Sequence, residues 1–193
     1  MISDRGFRRR WSCWLACVML AVAPVGPLRA ASEAGLTEYQ VEAAFLYHFA
    51  KYITWPPAAF NHPDDPIVIG VLGDDPFGEN LSEAVVREKP VQGRPLRVIR
   101  GRTPADLARC HILFISGSEE TRVPQHLAAL ARAKSPALTV GESKTFLEAG
   151  GAVRFVIENN KVRFEIDARN AEHAGLSISS KLLSLARNTR ERG

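Results

Sequence analysis

Cysteine is scarce and badly placed for crosslinking. Of the three in 193 residues, Cys13 and Cys17 fall within the first 30, leaving Cys110 alone in the remainder. A disulfide within residues 31–193 is thereby excluded. Cys110, at the entry of the apolar run from His111 to Ser116, reads as a buried core thiol. Metal-ligand spacing is lacking too. His48, His62, His111, His126 and His173 form no His-x-x-x-His pair, and no Cys-x-x-Cys accompanies them, so no metal is expected. Nor is there a Gly-x-Ser-x-Gly nucleophile elbow. The loop Gly73-Asp-Asp-Pro-Phe-Gly78 departs from the dinucleotide fingerprint and puts two carboxylates where an anion would bind. It reads as a tight strand-to-helix turn. The carboxylates form no catalytic pair by spacing alone, and no catalytic residue or cofactor is assigned.

An excess of positive charge is missing from the body of the chain. The 25 basic and 21 acidic residues include five arginines and one aspartate in the first 30, leaving twenty of each sign beyond. Nucleic acid is excluded as a partner, because holding a phosphate backbone needs a cationic surface. Long apolar runs are also missing. The stretch from Trp11 to Val25, ended by Pro24, Gly26 and Pro27, falls short of the roughly 20 residues of a membrane span. Preceded by Arg8-Arg9-Arg10 and followed by Ala30-Ala31, it reads instead as a secretory signal peptide over residues 1–30. Cleavage is expected after Ala30, Ala31 being the alternative, and the exported chain would be one domain over 31–193.

What is present is a strand–helix rhythm. Thr37-Glu-Tyr-Gln40 has the form of a capping box, predicting a helix from there to about Ile53, stopped by Trp55-Pro56-Pro57. Apolar residues cover nearly its whole circumference, with Glu42, His48 and Lys51 marking a narrow polar stripe, so it is buried or docks on something. Strands are expected over 66–72, 96–99, 111–116 and 137–140, with helices over 79–88, 103–109 and 123–133 between them. Segments 152–157 and 161–166, joined by Glu158-Asn159-Asn160, read as an antiparallel hairpin, and a final helix is expected over 179–188. The expected fold is α/β: a three-layer α/β/α domain with a mainly parallel sheet, a C-terminal β-hairpin and a terminal helix.

In open α/β sheets ligands bind beyond the carboxyl ends of the strands. That rim would hold Asp74, Asp75, Phe77, Ser116, Ser118, Glu142 and Ser143, a candidate ligand crevice. Ser116 and Ser118 also suit a helix cap. The hairpin and last helix offer a second, polar surface carrying Arg163, Glu165, Arg169, Ser179, Ser180 and Lys181.

The stretch Ala43-Ala-Phe-Leu-Tyr-His-Phe-Ala-Lys-Tyr-Ile-Thr-Trp-Pro56 resembles the opening signature of the YfiR-like periplasmic family. Val71-Leu-Gly-Asp-Asp-Pro-Phe-Gly78, Cys110-His-Ile-Leu-Phe-Ile-Ser116 and Leu138-Thr-Val-Gly-Glu142 agree with it. So do Phe155-Val-Ile157, Val162-Arg-Phe-Glu-Ile166 and Gly175-Leu-Ser-Ile-Ser-Ser-Lys-Leu-Leu183, in order along nearly the whole chain. The resemblance implies a periplasmic, non-enzymatic, dimeric regulator. Such a protein binds the periplasmic part of an inner-membrane diguanylate cyclase and holds it inactive, lowering cyclic di-GMP and biofilm formation. An outer-membrane OmpA-like lipoprotein would sequester the regulator and relieve the inhibition. The resemblance points to Arg163, Glu165, Ser180 and Lys181 as partner-binding residues. Relatives carry paired cysteines, which Cys110 alone cannot reproduce. The alternative reading is a periplasmic small-molecule sensor using the strand-end crevice.

Overall fold

The computed structural model describes residues 28–190, with side chains from 38 to 189. The predicted signal peptide lies outside the described residues except for its last three. In chain order the elements are α1 (Leu28–Tyr52), β1 (Ile53–Thr54), β2 (Ile67–Leu72), α2 (Glu79–Arg87), β3 (Leu96–Gly101), β4 (Ile112–Ile115) and α3 (Val123–Arg132). Then come β5 (Leu138–Gly141), β6 (Val153–Glu158), β7 (Lys161–Asp167), α4 (Ala168–His173), β8 (Ser177–Ile178), α5 (Ser180–Leu185) and β9 (Asn188–Arg190). Among the described residues no helix is long and apolar enough to cross a membrane.

The expected α/β architecture is present. Seven strands form one sheet in the order β3-β2-β4-β5-β6-β7-β9. The first five run parallel, β7 returns antiparallel onto β6, and β9 lies parallel to β7. Side chains alternate between two cores along each central strand. Ile67, Ile69 and Val71 of β2 and Ile112 and Phe114 of β4 face α1, α2 and α5, where Leu46, Phe49, Leu81, Val85 and Leu182 are buried. Val68, Leu72, Leu113 and Ile115 face the other way, toward Val123, Leu127 and Leu130 of α3 and toward Leu107, Cys110 and Phe146. This is why the β2 and β4 sequences are apolar throughout: both faces are covered.

α1 is fixed by aromatic packing. Phe45 and Phe49 sit against Phe155 of β6 and Phe164 of β7, with ring centroids 5.2–6.0 Å apart. The hairpin turn is Asn159-Asn160, both with positive φ (50° and 58°), a conformation that asparagine tolerates better than most residues and that matches the twist of the paired strands.

Four expectations need correction. α1 does not start at Thr37; it is already helical from Leu28, so Thr37 lies inside the helix and not at its start. Residues 103–109 form no helix. Asp106 takes the N–H groups of Arg102 and Thr103 on its carboxylate, and bonds from Asp106 to Thr103 and from Leu107 to Pro104 make a succession of tight turns. The terminal helix stops at Leu185, because Ala186 turns extended (ψ 141°), and residues 188–190 become β9. Helix α4 and the small antiparallel pair β1–β8 (Ile53 opposite Ile178) were not anticipated.

Candidate functional site

At the carboxyl ends of the strands the predicted crevice residues divide into three groups. Asp74 and Asp75 are tied to arginines of the neighbouring strand and the loop after it: Arg102 Nη1 donates to Asp74 Oδ1 at 2.6 Å, and Arg100 Nε to Asp75 Oδ2 at 2.6 Å. Asp75 also accepts the N–H of Phe77. Phe77 itself is buried, packed edge-on against Phe114 and Tyr39, and belongs to the core. Ser116 caps the 3-10 turn 117–122 by accepting the N–H of Ser118, while Ser118 accepts the N–H of Asp74 at 2.9 Å. That join is tight: Gly73 has φ 94°, and a side chain there would meet Ser118 and Glu119. The capping reading holds for Ser116, whereas Ser118 lies inside the turn and ties it to Asp74.

The third group does enclose space. Ser116, Glu142 and Ser143 line a cavity of about 220 Å³ with Gly117, Glu120 and Val123. Glu142 also borders a larger cavity of about 450 Å³, shared with Glu38, Glu42, Lys144, Arg154, Phe155, Val156, Ile157 and Arg187. Here α1 crosses the end of β5, and three carboxylates meet. One oxygen from each of Glu38, Glu42 and Glu142 lies within 4.8 Å of the others. Glu42 is only 1% exposed, and its Oε2 is buried without a hydrogen-bond partner.

These environments shift the protons. Burial, then the Glu142 and Glu38 charges, pushes the Glu42 carboxyl up to about 9. Glu142 is raised to about 7, chiefly by burial and then by Glu38, although the Tyr39 hydroxyl and the Gly117 N–H donate to it. Tyr39 is raised to about 12 by burial and by the surrounding glutamates.

The candidate partner residues lie apart from this cluster. Arg163 is exposed on β7 and lines an open groove with Val41 and Phe45 of α1 and with Ile157 and Val162 of the hairpin. Lys181 is exposed at the start of α5, its ammonium 5.5 Å from the Tyr52 ring, roughly two helical turns further along α1. Ser180 is exposed beside it, with Ser179 supplying the N-cap. Glu165 is buried, held by Arg154 at 2.6 Å and Arg187 at 3.3 Å. Arg163 and Lys181 thus border the same helix without forming one cluster.

Glu38, Tyr39 and Lys144 were missed by the sequence reading, and Glu42 was noted only as part of a polar stripe. One signal was available. Glu38 and Glu42 stand one turn apart on a mostly apolar helix, a like-charge pair that costs stability unless something offsets it.

Two solved structures are similar to parts of this chain. A conserved domain protein from Vibrio cholerae O1 biovar El Tor superposes with a TM-score of 0.53 at 12% identity, over 79% of this chain and 60% of that one. The ABC domain in complex with L-Trp from Streptococcus pneumonia gives a TM-score of 0.42 at 13% identity, over 63% of this chain and 56% of that one. The chain therefore spans about 60% of the length of the Vibrio protein, and that likeness is one of fold. No curated protein matches the sequence. The YfiR/HmsC-like family model (DUF4154) matches residues 39–187, from the tyrosine beside the carboxylate cluster to the arginine that holds Glu165. The chain belongs to the YfiR/HmsC-like family, a family of regulators.

Proposed function

We propose that this protein is a non-enzymatic periplasmic regulator that binds the periplasmic part of an inner-membrane diguanylate cyclase and keeps it inactive. Cyclic di-GMP and biofilm formation fall as a result. In this reading it acts as a homodimer, and an OmpA-like outer-membrane lipoprotein draws it away from the cyclase. Family membership supports the regulatory role, and one structural observation supports binding by surface contact. The groove between α1 and the hairpin, about 470 Å³, exposes Val41 (41%) and Ile157 (49%) beside Arg163, Lys161 and Asn160. Apolar area rimmed by polar groups is the usual composition of a contact site.

The test is capture of the tagged protein from native-host membranes after mild crosslinking. An inner-membrane protein with a periplasmic segment and a cyclase domain should be recovered. Arg163→Ala and Lys181→Ala should weaken recovery and repression while leaving the circular dichroism spectrum unchanged. If crosslinked controls succeed and no membrane signalling protein is recovered, the repressor reading fails.

A second reading, a small-molecule sensor, is favoured by the cavity that unites Ser116, Glu142 and Ser143. Its volume of about 220 Å³ suits only a small occupant. Saturable binding of such a molecule, lost in Ser143→Trp, would support it.

A further inference from the structure

The carboxylate cluster shares only Glu142 with the small-molecule cavity; Glu38 and Glu42 lie outside it. Three glutamates from two elements converge on one point, and among the described residues no lysine, arginine or histidine forms an ion pair with any of them. The nearby arginines are engaged elsewhere. Arg154 donates to Glu165 and to the Lys144 carbonyl, both at 2.6 Å, and Arg187 is held by Glu158 and Glu165. Leaving a fully buried carboxylate oxygen such as Glu42 Oε2 without a partner is costly. The cavity it lines is shared with Glu38 and Glu142, so a cation entering there would meet all three carboxylates.

We propose that Glu38, Glu42 and Glu142 form a binding site for a hard divalent cation of the size of Ca2+, which fastens α1 to the end of β5. The donor set is all oxygen, without imidazole or thiolate, which favours Ca2+ or Mg2+ over zinc or copper. The number of carboxylates selects between the first two. Mg2+ demands near-ideal octahedral geometry and usually keeps several waters beside one or two carboxylates, whereas Ca2+ accepts many oxygen ligands in flexible geometry. Three carboxylate oxygens lie here within 4.8 Å of one another. Water entering through the cavity would fill the remaining positions. Tyr39, hydrogen-bonded to Glu142, would stand next to the ion.

The experiment uses the purified protein stripped with a chelator. Calorimetric titration with CaCl2 should give one site with Kd of about 10⁻⁴–10⁻³ M, the range of weak oxygen-ligand sites. At about 10 mM Ca2+ the folded-to-unfolded ratio should then rise about 10- to 100-fold, read from urea unfolding. Glu42→Gln, which keeps the shape, should weaken binding at least tenfold. Tb3+ should show luminescence sensitised by tyrosine that Ca2+ quenches by displacement and that Tyr39→Phe abolishes, a readout local to the site. Absence of heat and of any stability change in the parent protein would overturn the proposal. An unaltered Ca2+ response in a folded Glu42→Gln protein would do the same, as would Tb3+ emission indifferent to Tyr39→Phe. Tighter binding of Mg2+ than of Ca2+ would overturn the choice of ion.

Discussion

The Trp55 indole N–H donates to the carbonyl oxygen of His111 at 3.0 Å, in the core, fastening the segment after α1 to the start of β4. The same carbonyl accepts the N–H of Leu138, so the bond joins three parts of the chain that are remote in sequence. Trp55→Phe keeps most of the apolar area but removes the donor. A loss of about 1–3 kcal/mol is expected from the buried hydrogen bond and the space left behind. Urea unfolding followed by circular dichroism measures it, and an unchanged midpoint would show that the bond contributes nothing net.

His111 itself predicts a pH effect. Its Nδ1 accepts the N–H of Val68 at 3.1 Å, which leaves Nε2 to donate to the Ala59 carbonyl at 3.2 Å, so the neutral ring is the form that satisfies both. The ring stacks on Phe60, whose other neighbour is the Arg94 guanidinium, 3.7 Å from its centroid. Burial, with a smaller contribution from Arg94, lowers the His111 pKa. The unfolded chain therefore binds the proton more readily than the folded one. The contribution to stability is complete above about pH 6.5 and declines as pH falls through that value toward the lower folded one. His111→Gln should be less stable than the parent at pH 7.5, with the gap narrowing by pH 5. A gap that stays constant between those pH values would refute the assignment.

Glu165 illustrates how a polar strand residue can be part of the core. Buried between Arg154 and Arg187, it satisfies two guanidinium groups on the outer half of the sheet. Glu165→Ala would leave the half-buried Arg154 with the Lys144 carbonyl alone as partner, at a cost of about 1–3 kcal/mol. Arg163→Ala, two residues back along β7 on the same face but exposed, should cost less than about 0.5 kcal/mol. Comparing the two thermal midpoints checks this. The difference matters for mapping a partner, because lost binding in a Glu165 variant would report the fold as much as the surface.

Phe146 fills the space over two glycines. A methyl group on Gly141 or on Gly151 would overlap its ring. Gly151→Ala is expected to destabilise by about 1–3 kcal/mol through overpacking. Shortening the ring in the Phe146→Leu background should recover part of that loss, the two sites being in contact. Strict additivity in the double variant would contradict this packing.

Much of the architecture could be read from local pattern. The continuous apolar runs at 67–72 and 112–115 need cover on both faces whatever the neighbours are, and Asn159-Asn160 specifies a hairpin by its own backbone preference. The ends of the chain could not. β9 is made of polar residues that would suit a helix end, and it becomes a strand because β7 offers an unpaired edge: the Arg187 N–H reaches the Phe164 carbonyl at 2.8 Å. The site was readable only in part. Ser116, Glu142 and Ser143 follow from the rule about strand ends. Glu38 and Glu42 meet Glu142 because α1 passes the end of β5, a packing relation that no spacing in the sequence encodes.

The order of the sheet also bears on how these molecules behave when crowded. An open edge of hydrogen-bonding groups invites a strand from a neighbouring chain. At one end of this sheet the outermost strand is β3, whose two exposed side chains are Arg97 and Arg100; an incoming copy would set arginine near arginine. At the other end the outermost strand is β9, three residues long among the described residues, a short template for a ladder. The fold is thus guarded against open-ended filament growth by charge on one side and by brevity on the other.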